Sequence, residues 1–326
     1  MPPEINDYLN EVKSYLHLDP ATELQAIKEL YSYFQEKIAE LEEEGFSREE
    51  ATKLAIECCG RPRVIARRIY EAHSKGSWRE ATLALLPHLI VAGLFIFHLW
   101  LHFPLAPLAF ALIVGVTLYG WWHGKPSWLY PWVGYSLLPL LIGGYASRHA
   151  LEQAIVYLLW GRGTLPSLWL LMLILALLGF SLWVIISTTI RVVKRDWILA
   201  SLMLVPLPIV GGWLLNLEQA GGLFAGNPEA LHLFDHLMAQ ALIALGIMAA
   251  AFIRLRQRVL KIGALVTIGS VALAMVAHDL WGRLGFLGLL ITSLFLLAFL
   301  LSPALLEAKV KRVGKAALQA NLKSSI

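Results

Sequence analysis

The chain has 326 residues, of which 58% are hydrophobic and 15% charged, and its formal net charge is +4. That apolar share exceeds the about 45–50% usual for soluble domains, which excludes a single water-soluble globule. The basic balance does not indicate nucleic acid, because the basic residues stand beside apolar runs, where membrane orientation accounts for them.

Charge is unevenly spread, and the shift marks the domains. Residues 1–78 read as a small helical cytosolic domain, residues 79–306 as an apolar bundle and residues 307–326 as a basic cytosolic tail. The expected fold is all-α: a polytopic membrane bundle of about eight spans behind an N-terminal four-helix domain. The opening MPPEINDYLNEVKSYLHLDP is too acidic for a signal peptide and lacks an apolar core, so this domain is expected in the cytosol. Cys58 and Cys59 are adjacent and point about 100° apart on a helix, so one is read as core packing and neither as a metal ligand.

Four helices are predicted in the N-terminal domain. Ile5, Leu9, Val12 and Leu16 share one face of a helix over about 3–18. Asp19 and Pro20 then supply a cap and a first-turn proline for a second helix carrying Leu24, Ile27, Leu30, Phe34, Ile38 and Leu41, which stops at Gly45. Ser47 and Glu50 form a capping box, with Phe46 as its hydrophobic staple, and the third helix stops at Gly60. Pro62 opens the fourth, through Ile65 and Ile69 towards Ser74.

The stretch Gly45-Phe-Ser-Arg-Glu-Glu-Ala51 followed by Gly60-Arg-Pro-Arg-Val-Ile-Ala66 resembles the HAAS signalling domain, also called a permease prefix domain. The resemblance spans about residues 3–73 and implies a four-helix module ahead of membrane spans that signals or docks. The residue before the proline is usually acidic in that family, whereas here it is Arg61. With Arg63, Arg67 and Arg68 it makes the last helix basic, a face suited either to an acidic protein partner or to anionic lipid.

Eight apolar segments are long enough to cross a bilayer: about 81–103, 105–122, 128–147, 166–190, 197–217, 235–253, 260–280 and 284–304. The short run 151–160 reads as an interfacial or re-entrant helix. With the N-terminus inside, the cytoplasmic loops and tail hold thirteen basic residues, and the outer loops hold Arg148, Arg162 and Arg283 alone. This bias places both termini in the cytoplasm of a multi-pass plasma-membrane protein. Trp121, Trp122, Trp128 and Trp197 fall at the inner boundaries, and Trp100, Trp160, Trp213 and Trp281 at the outer ones, as an aromatic belt would.

Under that topology most histidines gather at the outer side. His98 and His102 lie four residues apart in the first span, and His232 and His236 repeat the spacing around Asp235. His278 and Asp279 end the seventh span at the same level, and His149 follows the third. Pairs spaced this way are able to hold a metal or, from two helices, a haem, although no full ligand signature such as HExxH is present. Interfacial and structural roles are the plainer reading, and no cofactor is predicted. Gly263, Thr267, Ser270, Ala274 and His278 make a small polar stripe suited to a pathway or to close helix packing. Pro206 and Pro208, with Gly211 and Gly212 behind them, predict a kinked fifth span, and the loop 218–233 reads as a connection or a lid.

No P-loop, GxGxxG or GxSxG motif occurs. The expected function is a membrane-embedded regulatory or sensor protein whose cytosolic helices dock a partner. The alternatives are a permease-like subunit, or an accessory subunit of a membrane complex with an outer-leaflet histidine site for metal or haem.

Overall fold

The computed structural model describes residues 3–16, 18, 20–102, 104–162, 166–219 and 234–324, with backbone alone at 20–21, 149, 219, 277–284, 286–289, 292–293, 295–296 and 310–324. Every regular element among them is helical. Four helices precede the apolar region: α1 (Pro3–Tyr15), α2 (Pro20–Glu43), α3 (Arg48–Cys59) and α4 (Pro62–His73). The apolar region holds α5 (Trp78–Ile96), α6 (Leu105–Trp122), α7 (Leu129–Ser136), α8 (Leu138–Trp160), α9 (Leu168–Arg195), α10 (Trp197–Leu204), α11 (Pro206–Gln219), α12 (Asp235–Arg254) and α13 (Arg258–Ser324).

Helices α1 to α4 share a core of their own, in which Ile5, Val12, Phe34, Ala51, Ala55 and Ala66 are buried. Tyr8 meets Phe34 edge-on at 5.3 Å and donates its hydroxyl proton to the Gly60 carbonyl at 2.8 Å. That bond fastens α1 to the turn between α3 and α4. The capping box is present as read: the Ser47 hydroxyl accepts from the Glu50 amide, and the Glu50 carboxylate accepts from the Ser47 amide at 3.1 Å. These bonds hold the Glu50 carboxyl below its usual pKa. Gly45 and Gly60 take φ of 97° and 88°, a region open to glycine, and so end α2 and α3. Phe46 is exposed and adds little as a staple, while α1 stops at Tyr15, short of Leu18. Cys59 touches the core, Cys58 is exposed, and both are free thiols. Asp19 lies outside the described residues.

Among the described residues, six helical stretches are long and apolar enough to cross a membrane: Trp78–Ile96, Leu105–Trp122, Leu168–Arg195, Trp197–Glu218, Asp235–Arg254 and Arg258–Val276. The expected third span, 128–147, is instead two stacked helices, α7 and α8. Pro139 sits in the first turn of α8 and has no amide proton to carry on the ladder from α7. Helix α8 then runs without interruption to Trp160, absorbing the run 151–160 that reads in the sequence as a separate short helix. Its polar middle is satisfied on its own surface, where Arg148 pairs with Glu152 at 2.8 Å. The expected eighth segment lies within α13, which is interrupted at Gly285 (φ 63°, ψ −164°). Leu300 is buried beside Gly269, so the two arms of α13 lie side by side about that glycine. The Ser201 hydroxyl donates to the Leu300 carbonyl at 2.9 Å and binds the second arm to α10.

Helix α5 runs along α12, and α12 along α13. Gly246 permits the first approach, because a Cβ there would stand 2.6 Å from Leu85 Cδ1 and 3.1 Å from His88 Cβ. The expected break in the fifth span is present: α10 ends at Leu204 and α11 begins at Pro206. This broken helix is central, with 78% of its most apolar stretch buried, whereas the most apolar stretch of α9 is only 6% buried, and α9 packs inward mainly at its C-terminal end, through Val192 and Val193.

Candidate functional site

The two ends of the bundle carry different chemistry. At one end the connection from α5 to α6 is pinned to the start of α12. His98 does not continue α5 but takes a left-handed conformation (φ 53°), followed by one 3-10 turn at Leu99–Leu101. His98 and His102 therefore flank a turn rather than sharing a helical face, which corrects the sequence expectation. The fully buried Asp235 accepts hydrogen bonds on Oδ2 from His98 Nδ1 at 2.7 Å and from Trp100 Nε1 at 2.9 Å. A carboxylate in the first turn of α12 also meets the positive end of the helix dipole. The His236 ring lies 6.1 Å from that of His98, and His102 Nδ1 reaches only the His98 carbonyl, at 3.2 Å.

Of the seven candidate metal ligands, the structure thus brings His98, Asp235 and His236 near one another. His102 stays at the rim, and the side chains of His232, His278 and Asp279 lie outside the described residues, as does that of His149. Among the described residues no group of three or more histidine, cysteine or acidic side chains is placed to hold a metal ion. The constellation that forms is a lock on a loop. Trp100 packs perpendicular to Trp213 at 5.0 Å, and Trp213 packs against Phe95 at 5.1 Å. Trp213 is therefore a buried packing residue, while Trp122 and Trp160 keep the exposed rings expected of membrane anchors. Nearby chemistry is also structural, since Glu218 accepts from the Tyr145 hydroxyl and pairs with Arg148 at 2.5 Å.

Gly263 and Thr267 are exposed, and the Thr267 hydroxyl bonds back to the Gly263 carbonyl at 2.7 Å. In the middle of the bundle His88 and Tyr135 are buried with their rings 5.0 Å apart, and neither His88 Nδ1 nor the Tyr135 hydroxyl finds a hydrogen-bond partner. The loop 220–233 lies outside the described residues.

At the other end, the segment after α4, Ser74 to Gly76, is bonded to residues 253–261 at the turn between α12 and α13, and Lys261 lies over the Tyr70 ring of α4. The Gly76 amide donates to the Ile253 carbonyl at 2.9 Å, and Arg254 donates to the Gly76 carbonyl at 2.9 Å while lying over the Trp78 ring. The Ser74 hydroxyl donates to the Arg256 carbonyl at 2.8 Å. Arg258 pairs with Asp196 at 2.8 Å, and Asp196, 3% exposed, also caps α10 by accepting from the Ile198 amide. Arg195 donates to the Lys125 carbonyl and to the Tyr130 hydroxyl. Hence the loops 123–127, 195–196 and 254–258, assigned by charge to one side, do meet at one end. Burial and the nearby Asp196 charge push the Tyr70 phenol well above its ordinary pKa.

The basic residues Arg61, Arg63, Arg67 and Arg68 are exposed on α4. Arg63 and Arg67 border a groove of about 370 Å³ between α4 and residues 257–259, and Arg67 pairs with Glu71 at 2.9 Å. Asp196 and Lys261 were not singled out from sequence. The visible signal for Asp196 is one acid closing a basic loop directly before an apolar run, the pattern of a helix cap. Comparison of the chain with known families, characterised proteins and solved structures returns no match.

Proposed function

We propose that the chain is a membrane-embedded regulatory protein in which α1 to α4 form a cytoplasmic, HAAS-like module that docks a partner and takes its position from the bundle. The observation that carries this reading is the junction: the residues after α4 bond to the α12–α13 turn, and Tyr70 of α4 lies over Lys261 in a cavity shared with Asp196 at the foot of α10. A module tied at that many points shifts when the helices beneath it shift. Eight crossings with both termini inside are supported by the convergence of the basic loops at the module's end, by α7 and α8 together running from Arg195 to Glu218, and by the return of α13 at Gly285. The filled centre favours regulation over transport, since Val205, Ile209 and Val210 at the break in the fifth span are buried in apolar packing.

A photo-crosslinking amino acid placed at Arg63 or Arg67 of the full-length chain in its native membrane tests the docking face. The expected product is a defined adduct with one soluble protein, abolished by Arg68→Glu. Adducts with lipid alone, or none, would reject docking through α4.

A further inference from the structure

A cavity of about 260 Å³ lies between the N-terminal helices and the bundle, walled by Tyr70, Lys75, Glu80, Asp196, Phe252 and Lys261 among others. We propose that it binds a phosphate-bearing anion, presented either as the headgroup of an anionic lipid or as free phosphate.

The argument starts from Lys261. It stands in the first turn of α13 and is only 5% exposed, yet its ammonium has one hydrogen-bond partner, the Ser74 carbonyl at 3.3 Å. The Tyr70 and Phe252 rings lie 5.2 and 4.8 Å from Nζ, and no carboxylate among the described residues comes within ion-pair distance. A buried charge is costly unless it is paired and hydrogen-bonded, and two ring faces with one carbonyl meet only part of that need.

The acids on the cavity wall are already engaged. Asp196 is held by Arg258 and the Ile198 amide, and Glu80 accepts from the Ser77 amide at 2.7 Å and from its hydroxyl at 3.1 Å. With Arg258 counted, Lys75 and Lys261 bring three cations to this site against the carboxylates of Glu80 and Asp196, which leaves one positive charge in surplus. Ser127 adds a hydroxyl to the wall. The site also lies where Trp78 and Arg254 gather at the end of the spans, the depth at which lipid phosphates sit against basic side chains. The lipid source rests on the reading of this end as the membrane surface, whereas free phosphate needs only the cavity.

The test uses the full-length chain in an uncharged, phosphate-free detergent, with the thermal unfolding midpoint followed against three probes. These are inorganic phosphate, dioctanoyl phosphatidic acid and, as the neutral counterpart, dioctanoylglycerol. A saturable rise with either phosphate probe and none with dioctanoylglycerol is expected; the probe that acts identifies the source. Lys261→Gln weakens that binding about tenfold or more, and Lys261→Arg largely retains it. If Lys261→Gln does not fold, Lys75→Gln decides, with weakened binding expected. No response to either phosphate probe, an equal response to dioctanoylglycerol, or binding by Lys261→Gln and Lys75→Gln like that of the parent would overturn the assignment. Crosslinking through α4 is read separately, so failure of partner docking and failure of anion binding are distinguishable.

Discussion

One carboxylate oxygen of Asp235 fastens one end of the bundle, because it accepts from two residues of a connection that is otherwise held by its backbone and the packing of Trp100 on Trp213. Replacing Asp235 by alanine leaves the His98 and Trp100 N–H groups without that acceptor. The expected loss is about 2 kcal/mol, seen as a lower unfolding midpoint of the full chain in detergent. Asp235→Asn keeps an acceptor oxygen and should lose less. A midpoint unchanged in Asp235→Ala would show that the connection is held by the Trp100–Trp213 packing alone. Both His98 and Asp235 were conspicuous in the sequence, with hydrogen bonding to each other or to loops as the plainer reading and metal ligation as the alternative, but which of them pair was not legible. Their pairing depends on the left-handed turn at His98, and a histidine followed by Leu-Trp-Leu gives no local sign of one.

At the scale of helices, what was legible followed from local chemistry. The Ser47–Glu50 box and the stops at Gly45 and Gly60 were readable because cap, carboxylate and glycine lie within a few residues. The same pattern, Ser77-Trp-Arg-Glu80, opens α5 and moves the start of the first span to Trp78; it was readable but masked by the apolar run beginning at Ala81. The division of α7 from α8 was less legible, since Pro139 sits inside an apolar run where a kink and a break look alike. Gly134 shows what drives the packing of α7. A Cβ there would fall inside the Met203 carbonyl oxygen, a backbone atom of α10 that has no rotamer to yield. Gly134→Ala should therefore part α7 from α10 and cost about 1–3 kcal/mol or more, read as a lowered midpoint or lost folded yield. Gly143→Ala, with open space at its Cβ, serves as the control and should leave the midpoint near that of the parent.

Across the whole molecule, orientation and coupling are separate questions with separate measurements. Cys58 is exposed on α3, so a membrane-impermeant maleimide should label it from the cytoplasmic face only; labelling of intact cells would reverse the topology. Coupling depends on contacts that no sequence pattern announces. Ser74 meets Arg256, and Lys261 meets Ser74, across more than 180 positions of chain, which is why Lys261 reads in the sequence as one more loop charge. Asp196 is the point where disturbance should spread furthest, because one carboxylate caps α10, pairs Arg258 and borders the cavity under α4. Asp196→Asn removes the charge but keeps a cap, leaving Arg258 with no carboxylate at 2.8 Å. If the N-terminal helices take their position from the bundle, amide exchange should rise in α4 and also in α3, which contributes no residue to the junction bonds. The expected increase is about tenfold in both helices of the full chain. Faster exchange confined to residues 196–204 would mean that the ion pair serves only the foot of α10, and that the module rides on the bundle without being governed by it.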